Sequence, residues 1–213
     1  MIGRSIGGNE TFKLKSEDPV KLGKEKLDEI VDFTIKTFKS GMTAAEAVDH
    51  IKGNDLFLLL YKDEKPIGFA GSKYLYSKGN IYIYAYLSAA VVSTEFQGLG
   101  LYSELVKSRI DEALALGLRM ITTRTQNPLV EFTIKKDLDA RVGRGEMGGY
   151  SLTTSLLPGV FGRRLTEDFK GCQDEAINEK YRQLDLGRGD GYYLTFSLTL
   201  DTGNYLLPVK GIW

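Results

Sequence analysis

The sequence predicts an α+β fold: one domain with a mixed, mostly antiparallel central sheet flanked by helices and an extended C-terminal region. Three observations predict it. Strand-like and helix-like segments follow one another as β-αα-βββ-α-β-α-β, with one strand–helix–strand crossover and a further strand beyond. The 213 residues, at about 150 per domain, give roughly one domain with decorations. Apolar residues make up 42% and charged residues 26%, a composition that supports a packed core.

Residues 1–9 are glycine-rich and polar and read as a flexible N-terminal arm. Residues 11–15 alternate polar and apolar as a short strand. Over residues 22–38, Leu22, Leu27, Ile30, Val31, Phe33, Ile35 and Phe38 recur near helical spacing, and Gly41 stops that helix. Thr43-Ala44-Ala45-Glu46 is a capping box, so a second short helix runs to about Ile51. Residues 56–61 are a continuous apolar strand. A charged turn leads to a second strand, from Pro66 to Tyr76, and residues 77–80 are a hairpin turn. Residues 81–92 form a long strand. Strict alternation puts Ile81, Ile83, Ala85, Leu87, Ala89 and Val91 on one face and Tyr82, Tyr84, Tyr86, Ser88, Ala90 and Val92 on the other. A strand apolar on both faces sits inside its sheet.

Residues 103–116 are the clearest helix, closed by Gly117. Residues 120–125 are a strand. Asn127 and Pro128 then supply an N-cap and a first helical residue for a helix to about Leu138. Residues 141–149 hold four glycines and read as a loop or flap. Residues 150–156 and 192–200 alternate as strands, and a helix lies around residues 174–184.

Composition excludes several function classes. Lys plus Arg count 28 and Asp plus Glu count 28, so bulk charge favours no polyanion and no nucleic-acid partner is expected. The single cysteine, Cys172, and single histidine, His50, rule out a disulfide and a cysteine- or histidine-rich zinc centre, and no metal is expected. No apolar run is long enough for a membrane span, and no secretory h-region is present, so the expected location is the cytoplasm.

The informative stretch is Val91-Val92-Ser93-Thr94-Glu95-Phe96-Gln97-Gly98-Leu99-Gly100-Leu101-Tyr102-Ser103. A strand ends, two glycines spaced by one residue make a tight turn, and a helix begins. Helix N-termini carry unpaired amides and partial positive charge, so the turn suits a phosphate or pyrophosphate; a turn serving only the chain is the equal alternative. No nucleotide P-loop string occurs. A dinucleotide site, and with it an oxidoreductase, fits poorly: Ser103 stands at the third glycine, and the next strand ends Thr123-Arg124-Thr125 without an acid.

Val92-x-x-x-x-Gln97-Gly98-x-Gly100 resembles the acyl-CoA signature of the GNAT-type N-acetyltransferase superfamily, Val-x-Pro-x-x-(Arg/Gln)-Gly-x-Gly-x-(Gly/Ala). The element order matches over residues 10–138. The resemblance implies a GNAT-like acyl-CoA-binding core there, with residues 139–213 completing the same domain and forming the acceptor site. It implies acetyl-CoA or another acyl-CoA as co-substrate. Main-chain groups of the Ala90-Val91-Val92 segment would pair with the pantetheine arm. The turn of Gln97, Gly98, Leu99, Gly100, Leu101 and Tyr102 would hold the pyrophosphate through its amides. Asn127 would contact the pantetheine or thiol end, beside its plain reading as a helix N-cap.

Three positions depart from the pattern. Tyr102 replaces Gly or Ala, so its ring must point away from the phosphates. Thr94 replaces the proline. Ile134 stands where family members often carry a tyrosine seven residues after the asparagine as general acid, with Phe132 and Thr133 before it.

The implied reaction moves an acetyl or short acyl group to a primary amine, on a small molecule or peptide, by direct attack through a tetrahedral intermediate. The amine must lose a proton, the oxyanion needs a donor near Val92, and the thiolate needs a proton. Base candidates are Glu46, Asp49, His50, Glu95 and Glu131; donors replacing the absent acid are Tyr82, Tyr84 and Tyr86. Each has a structural alternative: Glu46 in its capping box, Glu131 in a first helical turn, the tyrosines as packing. With Ile134 in the acid position, a non-catalytic acyl-CoA sensor is the alternative function. Arg141, Arg144, Arg163 and Arg164 read as a solvated loop, and Cys172 as a small packing residue. The apolar tail, Leu206 to Trp213, is expected to cover a sheet edge or pair a homodimer.

Overall fold

A computed structural model describes residues 4–6, 12–38, 41–76, 82–165 and 171–200; for residues 4–6, 76, 82 and 83 the description covers the backbone alone. The turn at 77–80 and the apolar tail lie outside the described residues.

The elements in chain order are β1 (Arg4–Ile6), β2 (Phe12–Glu17), α1 (Lys24–Phe38), α2 (Ala44–Lys52), β3 (Leu56–Lys62), β4 (Lys65–Tyr76), β5 (Tyr82–Val92), a 3₁₀ turn (Thr94–Phe96), α3 (Leu101–Ala115), β6 (Met120–Thr125), α4 (Pro128–Gly143), β7 (Gly149–Leu157), α5 (Glu175–Arg182) and β8 (Gly191–Thr199). All eight strands join one sheet in the order β1-β2-β3-β4-β5-β6-β8-β7. Every pairing is antiparallel except β5 with β6, which the α3 crossover makes parallel. The expected α+β class, central β5 and single crossover are present. Within the expected N-terminal arm, Arg4–Ile6 pair with β2 as an edge strand.

Two apolar layers sandwich the sheet. Ile30 and Val31 of α1 and Ala47 and Ile51 of α2 pack on Phe57, Leu59, Phe69 and Val91. On the other face Leu105, Val106, Ile110 and Ala113 of α3 and Ile134 and Leu138 of α4 pack on Leu58, Ala70, Ala85, Leu87, Val92, Ile121, Leu194 and Phe196. The capping box forms as expected: the Thr43 hydroxyl accepts from the Glu46 amide, and Glu46 accepts from the Thr43 amide.

The strict alternation expected of residues 81–92 is corrected by a bulge. Ala70 faces Ala90, but Ser72 faces Leu87, so the register slips at Ser88-Ala89 opposite Gly71. One inserted residue reverses which face each later side chain occupies. Val91 therefore joins the α1–α2 layer, while Val92 shares a layer with Ala85 and Leu87. The loop expected at residues 141–149 shortens to 144–148. Helix α4 continues to Gly143 because Arg141, 4% exposed, bonds Asp137 one turn back and Asp111 on α3.

Candidate active site

β5 and β6 run side by side only at Ala85–Ile121 and Tyr86–Thr122. Beyond that point they part, and β6 continues against β8 alone. Thr123 Oγ1 donates to the Leu87 carbonyl at 2.9 Å, the last link before the opening. On the β4 side Ser93 N donates to Ile67 O at 2.8 Å, and Phe69 lies opposite Val91. In an antiparallel ladder only alternate residues turn their backbone groups toward a given neighbour. Ala90 and Val92 therefore present theirs to the gap. The result is a fork with a free strand edge on one arm.

At its mouth lies the glycine turn. Gly98 and Gly100 adopt φ values of 85° and 77°, the left-handed region that favours glycine, and a Cβ at either would meet nothing within 4 Å. Gly100 is the N-cap of α3 and supplies no side-chain cap. Among the described residues the amides of Gly98, Leu99, Gly100, Leu101 and Tyr102 make no hydrogen bond, while the first donors that do so are Ser103 and Glu104, both to Gly100 O. Five orphan donors, with open space at the two glycines, make a cradle suited to an anion. Gln97 serves differently. Its amide donates to Thr94 O, and its Nε2 donates to Val92 O at 3.0 Å, bracing the turn against the strand.

Tyr102 turns its ring into the layer under α3, away from the cradle, where its hydroxyl meets the Arg109 guanidinium; burial holds that hydroxyl above its ordinary pKa. Arg109 is 2% exposed, and its Nη1 donates to the carbonyl of Gly71 at 3.3 Å. Gly71 is the residue the bulge leaves out of register. Asn127 caps α4, its Oδ1 accepting from Leu129 N at 2.9 Å, on the β6 arm of the fork.

The two arms are tied together. On β5, the Ser88 hydroxyl donates to Asn54 Oδ1, and Asn54 Nδ2 donates to the His50 and Ile51 carbonyls that end α2. Beyond β6, Gln126, 2% exposed, accepts from Leu165 N and donates to the Arg163 and Asp190 carbonyls. Arg163 then reaches Glu46 of α2 at 3.1 Å. The Glu46 carboxyl is lowered to about 2, first by the Thr43 amide and then by Arg163. His50 stands exposed at the end of α2, held below its ordinary pKa by desolvation and then by Lys73.

The candidate acid–base residues do not converge. Tyr84 and Tyr86 are half-buried on the α1–α2 side of β5. The Tyr86 hydroxyl accepts from Arg124 Nε at 3.0 Å. Tyr82 lies in β5, but its side chain is outside the described residues. Glu131 sits on the opposite side of the sheet in α4, 2% exposed, accepting from Lys180 Nζ of α5. Burial and then Glu131 raise the Tyr181 hydroxyl. Glu95 is exposed and lines a shallow cleft with Lys62, Asp63 and Lys65. Ile134 is wholly buried, so α4 offers no acid at that position. Among the described residues no cluster of His, Cys, Asp and Glu could hold a metal, and no helix is long and apolar enough to cross a membrane.

Sequence reasoning missed Asn54, Gln126 and Arg109. Gly71 inside a strand was the available signal, since a strand glycine marks a bulge or a close approach. A Cβ there would lie 2.4 Å from the Asn54 amide group.

A strand-edge fork beside an uncapped helix N-terminus is a backbone site suited to an extended chain ending in an anion. The chain belongs to the acetyltransferase (GNAT) family, whose family model matches residues 25–133. Solved structures share the fold. The ribosomal-protein-S18-alanine N-acetyltransferase from Escherichia coli is 13% identical with a TM-score of 0.54, covering 90% of this chain and 97% of its own. A GNAT-family acetyltransferase from Streptococcus pneumoniae is 16% identical with a TM-score of 0.51, covering 88% and 99%. Aminoglycoside 6'-acetyltransferase type Ii is 15% identical with a TM-score of 0.50, covering 86% and 96%. A search of curated proteins found no match.

Proposed function

We propose that this protein transfers an acetyl or short acyl group from acyl-CoA to a primary amine. The observation that carries the reading is the pairing of an open strand edge at Ala90 and the Val92 amide, the Val92 carbonyl being taken by Gln97, with five orphan amides at Gly98 to Tyr102. The edge fits the pantetheine amides as a neighbouring strand would, and the amides fit the pyrophosphate without a lysine. Acyl-CoA supplies an activated carbonyl and a thiolate leaving group. The Val92 amide faces the gap and is the donor offered to the carbonyl oxygen. Tyr84 and Tyr86 stand on the acceptor side of the strand as proton donors in place of Ile134. His50, with its neutral form favoured, is a candidate base on α2.

CoA should raise the melting temperature by mass action, beyond any effect of NAD or ATP. Free thiol should then appear from acetyl-CoA only when an amine acceptor is added. The buried Ile134 favours one other reading, a sensor that binds acyl-CoA without turnover. CoA binding with no thiol release across polyamines, amino acids, aminoglycosides and peptide N-termini would support that sensor.

A further inference from the structure

Strands β5, β6, β7 and β8 contain no aspartate or glutamate, and Arg124 is their sole charged residue. The register fixes where it points. Thr122 lies opposite Tyr86 on one side and Thr195 on the other, Arg124 opposite Tyr193, and Thr153 opposite Thr195. Laterally paired residues share a face. Tyr86, Thr122, Arg124, Tyr193, Thr195 and Thr153 thus form one hydroxyl-rich face. The opposite face, with Ile121, Leu194 and Phe196, is buried under α3 and α4. The α1–α2 layer reaches no further than Val91 of β5; on the hydroxyl face Arg124 and Thr153 are exposed and Tyr86, Tyr193 and Thr195 half-buried, while Thr122 is buried between them.

Arg124 is exposed and held in place. Its Nε donates to the Tyr86 hydroxyl at 3.0 Å, and its guanidinium lies 5.6 Å from the Tyr86 ring centroid. Among the described residues no carboxylate pairs with it. Arg124 lies two residues beyond the last β5–β6 pair, just past the point where the strands part. An oriented guanidinium with an open end, on a neutral hydroxyl surface, matches the planar bidentate geometry of a carboxylate.

Resting on the acyltransferase reading, we propose that the acceptor is an amine that also carries a carboxylate, and that Arg124 is the residue that selects it. Tyr86 is the positioning residue for the guanidinium. The acceptor's carboxylate meets Arg124 while its amino group lies toward the end of β5. Amines without an acid, polycationic ones above all, meet an unopposed positive charge there.

The test uses matched pairs that differ by one carboxylate: lysine against cadaverine, phenylalanine against phenethylamine, and glycyl-phenylalanine against glycyl-phenylalanine amide to distinguish free amino acids from peptides. Thiol release from acetyl-CoA is measured over each pair. The acid-bearing member should show a kcat/KM at least about tenfold higher, the scale of one charge-assisted bond. Arg124→Gln should collapse that ratio toward one, and Arg124→Lys should keep part of it. A second readout does not need turnover: with CoA present, N-acetylphenylalanine should raise the melting temperature of the wild type more than N-acetylphenethylamine does, and Arg124→Gln should erase the difference. Equal rates within pairs, a ratio untouched by Arg124→Gln, or CoA binding with no response to any acid would each overturn the proposal. Absence of CoA binding would instead overturn the acyltransferase reading beneath it.

Discussion

Ser88 is bonded to Asn54, and that contact fixes the bulge of β5 to the C-terminal end of α2. The bulge turns the Ala90–Val92 edge toward the gap, so a helix-ending asparagine controls the geometry of the proposed cofactor edge. Asn54 is 8% exposed, and truncation leaves two helix-end carbonyls and the Ser88 hydroxyl without their partner. Asn54→Ala should cost about 1–3 kcal/mol, lowering Tm by several degrees and weakening CoA binding. Chemical denaturation and CoA titration check both. Gly71→Ala should do the same from the other side, since its Cβ would sit 2.4 Å from Asn54.

The anion cradle predicts a charge effect separable from backbone strain. Gly100 at φ 77° loses about 1 kcal/mol on gaining any side chain. Gly100→Ala should show that loss and still bind CoA, because a Cβ there meets nothing within 4 Å. Gly100→Asp should abolish the CoA-induced rise in Tm. If the aspartate variant is folded and binds CoA normally, the phosphate assignment is wrong.

Glu131 offers a test of architecture against chemistry. Its carboxylate is buried and held by Lys180, whose side chain keeps 27% exposure. Glu131→Gln should lower stability by about 1–3 kcal/mol, less than for a fully buried pair, while kcat stays within about threefold. A kcat loss of about 10²-fold or more at unchanged stability would make Glu131 the general base instead.

For the proton donor, Tyr82→Phe, Tyr84→Phe and Tyr86→Phe each remove only a hydroxyl. A general acid is worth about 10²–10⁴-fold in kcat, so one of the three should fall by that factor with CoA affinity unchanged. Rates within about threefold for all three would assign the stripe to packing and the proton to water.

Acid should loosen the tie between α2 and the 158–165 segment. Glu46 has its pKa lowered from 4.5 to about 2 by the Thr43 amide first and Arg163 next. A depressed carboxyl contributes stability that is fully present above 4.5 and lost as pH falls toward 2. Glu46→Gln should flatten the Tm-against-pH curve across that window. An unchanged slope would place the acid sensitivity elsewhere.

Much of the fold was legible because apolar period and capping residues act locally. Thr43 with Glu46, and Asn127 with Pro128, fixed the starts of α2 and α4 from four residues or fewer. What escaped was long-range. The bulge at Ser88 depends on Asn54, thirty-four positions away, and on Gly71 across the strand pair. Alternation along β5 carries no trace of that slip and places Val91 and Val92 on the wrong faces. Helix α4 outran its expected end because the buried Arg141 finds Asp111 on α3. The glycine turn was readable since its chemistry is backbone chemistry at adjacent residues. The hydroxyl face proposed for the acceptor was not, because Tyr86, Arg124 and Tyr193 are brought together only through the sheet register.

The central claim is that the β5–β6 fork and the α3 N-terminus together receive acyl-CoA. Backbone amide hydrogen exchange, read residue by residue with and without saturating CoA, tests it most directly. New protection is expected at Ala90 and Val92 and across Gly98 to Tyr102, absent in Gly100→Asp. CoA-induced protection confined to other segments, or none at all at saturation, would contradict it.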